Sequence, residues 1–165
     1  MRFERRFESN HPASTMFEAH RDGLSGFGPR LSGVRAIRMD SRRDEGPLRH
    51  LQHEWTGDPS ALPSPLRYIV PSVLFRWQDT TTWDADRKEA AWRVSVPHMG
   101  SMVGLDGRHR FLERTGGSSI HVEAELSVAF VSRFGGKAAN RFVTKLFGDI
   151  LADSVTTVEG WLAES

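Results

Sequence analysis

Cysteine is absent from the 165 residues, which excludes a disulfide framework, thiolate zinc sites, iron–sulfur clusters and cysteine nucleophiles. A reducing compartment fits that absence, and the cytoplasm is the expected location. Lysine is scarce: among 22 basic residues only Lys88, Lys137 and Lys145 are lysines, a bias that suits a GC-rich coding sequence better than phosphate recognition. Excess charge of either sign is also lacking. The net charge is +1, so no global field steers the chain onto nucleic acid, and no nucleic-acid partner is expected. Long apolar runs are missing as well. None approaches the roughly 18 residues of a membrane span, and MRFERRFESN carries charge where a signal peptide needs an apolar centre. These absences predict a soluble protein with one domain over 1–165, a length that buries about two-thirds of its unfolded surface around one core.

Strong catalytic motifs are lacking too. VSRFGGKA has Gly136-Lys137 without the opening glycine or the Ser/Thr of a phosphate loop, and GFGPRLSG is not a dinucleotide fingerprint. MGSMVG has the wrong spacing for a nucleophile elbow, and HLQHE fails the inverted zincin order. No cofactor and no metal site is implied.

Hydrophobic periodicity is abundant. In MRFERRFES, Phe3, Arg5 and Phe7 alternate with Arg2, Glu4 and Arg6, the period of a strand with one buried face. Pro12 stands at a helix start, and Met16, Phe17 and His20 recur at helical spacing until Gly23. GLSGFGPRLSG then reads as a loop or a broken second helix. VRAIRMDSRR and LRHLQHEWT form a hairpin around Asp44 to Pro47. VLFRWQDTTTW, AAWRVSVPHM, VGLDGRHRFLER and SIHVEAELSVAFVSRF continue an antiparallel meander. In the last of these Ile120, Val122, Ala124, Leu126, Val128 and Phe130 share one face. From Lys137 onward, apolar residues follow a stripe of about 3.6 residues per turn, which predicts a long amphipathic closing helix.

The segment PSPLRYIVPSVLFRW is peculiar. Pro59, Pro63, Pro65 and Pro71 forbid a long helix or central strand, yet Leu62, Leu66, Tyr68, Ile69 and Val70 are too apolar for an ordinary solvated loop. Two readings stand side by side: a lid over a cavity, or a one-turn plug of the core.

This element order, with its apolar last strand and closing helix, resembles the START-like or SRPBCC helix-grip superfamily over nearly the whole chain. The resemblance implies an α+β fold: a curved antiparallel sheet of about six to seven strands gripping the carboxy-terminal helix, with a short helix after strand one and a hydrophobic cavity between. Glu54-Trp55, the proline-rich segment, FRWQDTTTW and VPHMGSMVGLDGRHRF look like the PRELI-like branch, which transfers phospholipids inside cells. Polyketide aromatase/cyclases of the same superfamily are similar around the last strands.

On the inward face that the resemblance implies, the candidate ligand-binding residues are Trp55, Tyr68, Ile69, Phe75, Trp77, Trp83, Trp92, Val94, Phe111, Phe142 and Leu146. Large aromatics need tight packing or a ligand to lie against, and five tryptophans also suffice to build a core. His98 and His109 fall on consecutive expected strands, where they are candidates for a general base. Two histidines without a third ligand make no metal site. Lys137, Arg141 and Lys145 step by four along the closing helix. This stripe is either a solvated face or a place for an anionic headgroup, with transient contact at a membrane surface. The expected partner is a hydrophobic small molecule or lipid, bound in the cavity and transferred if a lid opens; no docking motif identifies a protein partner. A cyclase or dehydratase is the alternative. A ligand-free interaction module presenting Tyr68, Ile69 and Val70 is the third reading.

Overall fold

The computed structural model describes residues 2–61, 64, 72–98, 103–128 and 136–164, with side chains described from 148 onward in the last of these. Strand β1 (Arg2–Ser9) is followed by helix α1 (Ala13–Asp22) and the single turn α2 (Leu24–Phe27), which runs into a 3-10 turn, Gly28–Arg30. The glycine-rich stretch is therefore a broken second helix. Strands β2 (Val34–Glu45), β3 (Leu48–Gly57), β4 (Arg76–Asp84), β5 (Glu89–Ser95), β6 (Val103–Arg114) and β7 (Gly117–Val128) follow, and helix α3 (Gly136–Glu164) closes the chain.

The seven strands form one sheet in the order β1-β7-β6-β5-β4-β3-β2. Every neighbouring pair is antiparallel. Turn chemistry explains the meander. Gly46 has a φ of 59° between β2 and β3, a backbone state that glycine adopts without steric penalty. β1 leaves the meander's sequence order and pairs with β7, so α1 and α2 carry the chain from one edge of the sheet to the other.

Alternation sets the buried face. Along β7, Ile120, Val122, Ala124 and Leu126 are buried while Glu125 and Ser127 are exposed, as period-two geometry requires. α1 turns Met16, Phe17, Ala19 and His20 onto that face. α3, at 29 residues roughly 43 Å long, brings Val155 and Val158 into the same core. Phe17 stands edge-on to Trp83 and Phe111, with ring centroids 5.4 Å and 5.6 Å apart, the arrangement that aromatic quadrupoles favour. One end of the sheet is thus packed solid. Among the described residues, no helix is long and apolar enough to cross a membrane.

Three sequence expectations need correction. Phe75 ends a 3-10 turn, Ser72–Phe75, and is not on β4. His98 lies beyond the end of β5 in an exposed turn, with φ at 66°, so it shares no strand face with Trp92. Pro97 explains this, because its missing N–H cannot continue the ladder. Phe111 belongs to the packed core, only 2% exposed and in edge contact with Phe17.

Candidate functional site

The other end of the sheet is hollow. Between the inner face and the helices lies a cavity of about 140 Å³. Its sheet wall is Leu51, His53 and Trp55 of β3, Trp77, Asp79, Thr81 and Trp83 of β4, Trp92 and Val94 of β5, and Leu105 and His109 of β6. α1 and α2 add His20, Arg21, Leu24 and Phe27; Leu31 follows them, and α3 adds Ile150, Leu151 and Ser154. Strand pleat puts every second residue on the wall.

A polar cluster sits in this apolar lining. The β3–β4 register sets His53 opposite Asp79 and Trp55 opposite Trp77. Asp79 Oδ1 accepts hydrogen bonds from His53 Nδ1 and Trp55 Nε1, both at 3.1 Å, and Oδ2 accepts from the Thr81 hydroxyl at 2.9 Å. Three donors converging on one carboxylate offset the large desolvation penalty of burying it. Asp79 holds His53 at Nδ1 and so fixes the orientation of its ring. The stacked Trp55 and Trp77 rings, with centroids 5.9 Å apart, stand beside this cluster.

Two more histidines line the cavity, each with its tautomer fixed by a neighbour. Trp92 Nε1 donates to His109 Nδ1 at 2.8 Å, so neutral His109 carries its proton on Nε2. Gly107, opposite Trp92 across the β5–β6 ladder, makes that bond accessible: a Cβ there would lie 2.2 Å from the indole. His20 Nδ1 lies 2.8 Å from the Met16 carbonyl, one helical turn back. A carbonyl only accepts, so His20 Nδ1 is the protonated nitrogen and Nε2 is bare. That Nε2 is buried without a partner.

Burial drives both imidazoles toward the neutral form. Desolvation lowers the His20 pKa to about 4, partly countered by the bond to Met16. Desolvation, with repulsion from His20, lowers that of His109 to about 3. At neutral pH His109 is a hydrogen-bond donor with little basicity, and of the cavity imidazoles His53, oriented by Asp79, has the geometry of a proton acceptor. At the rim, Arg21 Nε and Nη2 engage Asp22, with the Nη2 bond at 2.7 Å.

Of the residues singled out from the sequence, Trp55, Trp77, Trp83, Trp92, Val94 and His109 meet at the cavity. Phe75, Phe111 and His98 do not line it. Tyr68 and Ile69, and the side chains of Lys137, Arg141, Phe142, Lys145 and Leu146, lie outside the described residues, as does the choice between lid and plug. Asp79, Thr81, His53 and His20 were not anticipated. Strand parity held the signal: Asp79 and Thr81 alternate in phase with Trp77 and Trp83, and His53 with Leu51 and Trp55.

No family model matches the sequence, and no curated protein does. Solved structures match it well. TTHA0849 from Thermus thermophilus aligns with a TM-score of 0.74 at 17% identity, over 100% of this chain and 99% of that one. The Zhui aromatase/cyclase from a Streptomyces species aligns with a TM-score of 0.70 at 12% identity, over 97% and 92%. Norcoclaurine synthase from Thalictrum flavum, solved in complex with dopamine and hydroxybenzaldehyde, aligns with a TM-score of 0.64 at 13% identity, over 99% and 87%. A seven-stranded antiparallel sheet closed by a long carboxy-terminal helix, shared over nearly full length with these structures, is the helix-grip fold.

Proposed function

We propose that this chain binds a compact hydrophobic molecule, one or two rings in size, between the sheet and the helices. The observation that carries this reading is the cavity of about 140 Å³, whose largely apolar wall is interrupted by the Asp79 cluster and by His20 and His109. An apolar cavity of about 150 Å³ accommodates benzene. A space of that size suits a ring system better than the two acyl chains of a phospholipid, so the transfer function that the PRELI-like pattern implies is the weaker reading. Norcoclaurine synthase, which has the same fold, was solved with dopamine and hydroxybenzaldehyde, both single-ring molecules. Stacked Trp55 and Trp77 supply flat surfaces for such a ligand. Titration with toluene tests the reading: saturable binding is expected, and an absence of binding up to the solubility limit would count against it.

A second reading is acid–base catalysis, and the Asp79–His53 pair favours it. An imidazole oriented by a buried carboxylate, on the wall of a largely apolar cavity, is arranged to take a proton from a bound ring compound. This moves the enzyme hypothesis from His98 and His109 to His53. Proton abstraction from 5-nitrobenzisoxazole, a bicyclic probe of base strength in apolar sites, provides the test. The catalytic reading expects a rate above buffer that His53→Phe abolishes; a rate equal to buffer would leave a binding protein only.

A further inference from the structure

Glycine inside a β-strand weakens it and marks a place where another group approaches the backbone closely. Two strand glycines lie under tryptophans of the cavity wall. Gly107 of β6 faces Trp92 across the β5–β6 ladder, and a Cβ on it would meet three atoms of the indole at 2.2 Å, 2.6 Å and 2.6 Å. Gly57, the last residue of β3, lies under Trp77, whose nearest indole atoms would be 2.9 Å and 3.3 Å from such a Cβ. Neither glycine has a positive φ, so the backbone conformation at these positions does not call for glycine. What calls for it is the indole resting on the strand. Trp83 supplies the contrast within the same sheet. Ala90 stands opposite it, and its ring reaches out to Phe17 of α1, edge-on at 5.4 Å. Beside an alanine the indole stands off the sheet into the core, and over a glycine it lies back against the neighbouring strand.

Resting on the cavity-binding reading, we infer that Gly107 and Gly57 set the depth of the cavity on its sheet side, and with it the size of ring compound that the chain accepts. Trp77 and Trp92 both line the cavity, and the register places the shorter side chains of Asp79, Val94 and Leu105 in the row between them. A methyl at position 107 cannot be met by a sideways shift of the indole. Along the sheet Trp92 is hemmed in by Thr81 on β4 and by Leu105 and His109 on β6. The backbone lies beneath it, so the open direction is outward, into the cavity. An indole raised in this way takes the place of part of the ligand. At about 140 Å³ the cavity is close to the size that holds one benzene, so the space lost is a large share of its capacity. The displacement demanded is greater at position 107 than at position 57, because the contact there is shorter. Both glycines thus determine specificity through the indoles that rest on them.

Calorimetric titration with benzene and p-xylene, the same ring at two lengths, tests this. In the wild type p-xylene should bind the tighter, by about fourfold for each methyl buried. In Gly107→Ala the ratio of p-xylene to benzene affinity should fall about tenfold or more, the effect of overpacking, and in Gly57→Ala it should fall by less. Retained benzene binding shows that the variants are folded. The double variant Gly107→Ala with Trp92→Leu separates this mechanism from a general loss of stability. With the indole gone the new methyl has nothing to raise, and the ratio should equal that of Trp92→Leu alone. That comparison stands even where Gly107→Ala by itself fails to fold. An unchanged ratio in Gly107→Ala, a double variant whose ratio still falls below that of Trp92→Leu, or a wild type with no preference for p-xylene would overturn the inference while leaving the container reading intact. Failure of both probes to bind the wild type would remove the container reading as well.

Discussion

His20 and His109 are imidazoles that the fold keeps uncharged, and this has a measurable consequence at the scale of the residue. In the unfolded chain each titrates near the ordinary histidine value of about 6.5. In the folded protein burial holds them at about 4 and about 3. Between those values the unfolded state binds more protons than the native state, so stability rises with pH there. Their contribution is fully present above pH ~6.5 and is lost as pH falls toward the folded values, amounting to a few kcal/mol. Thermal unfolding followed from pH ~7 to ~4 should show a falling Tm, and the fall should be shallower in His109→Gln. A variant that parallels the wild type would contradict the assignment. These residues also show where sequence reading falls short. His20 is legible as one of the apolar stripe of α1, but nothing in the pattern announces a bare nitrogen. Asp79 escapes notice because a carboxylate is ordinarily outside; only its phase with Trp77 and Trp83 places it inward.

At the scale of the element, the β5–β6 pair shows how backbone permits chemistry. Trp92 lies across Gly107, and its indole N–H reaches His109 two residues further along β6. Gly107→Ala would put a methyl into the space of the indole ring, 2.2 Å from its nearest atom. The ring would have to swing away, giving up its bond to His109. Overpacking of this kind costs about 1–3 kcal/mol. Urea denaturation should report that loss, and the indole N–H resonance of Trp92 should move. An unshifted resonance with unchanged stability would show that the indole does not depend on the glycine. The strands themselves are largely legible. β6 spans the residues that alternation assigns to it, and the β2–β3 reversal falls within the expected stretch from Asp44 to Pro47. β5 ends early and Phe75 falls outside β4 because proline and a 3-10 turn override local apolar pattern at strand ends. Such ends depend on ladder pairing, which a single strand's sequence does not contain.

At the scale of the molecule, one sheet does two jobs along its inner face. Around Phe17 and Phe111 it packs solid, around Trp55, Trp77 and Trp92 it leaves a cavity, and Trp83 borders both. The same residue types build both ends, so the sequence identifies aromatic residues on an inward face without dividing core from wall. That division comes from where α1 crosses: Phe17 fills one end, whereas His20 and Arg21, one turn later, border the cavity. Element order alone points to the helix-grip architecture, because a meander with one polar face needs a long amphipathic helix to cover the other. On the proposed reading, this cavity receives a compact hydrophobic molecule. The most direct measurement is methyl NMR of the protein titrated with toluene, recording intermolecular Overhauser effects. Contacts from the toluene ring to the methyls of Val94, Leu105 and Leu151, saturating with concentration, are the predicted result. Contacts confined to exposed methyls such as Met39, or none at all, would contradict it.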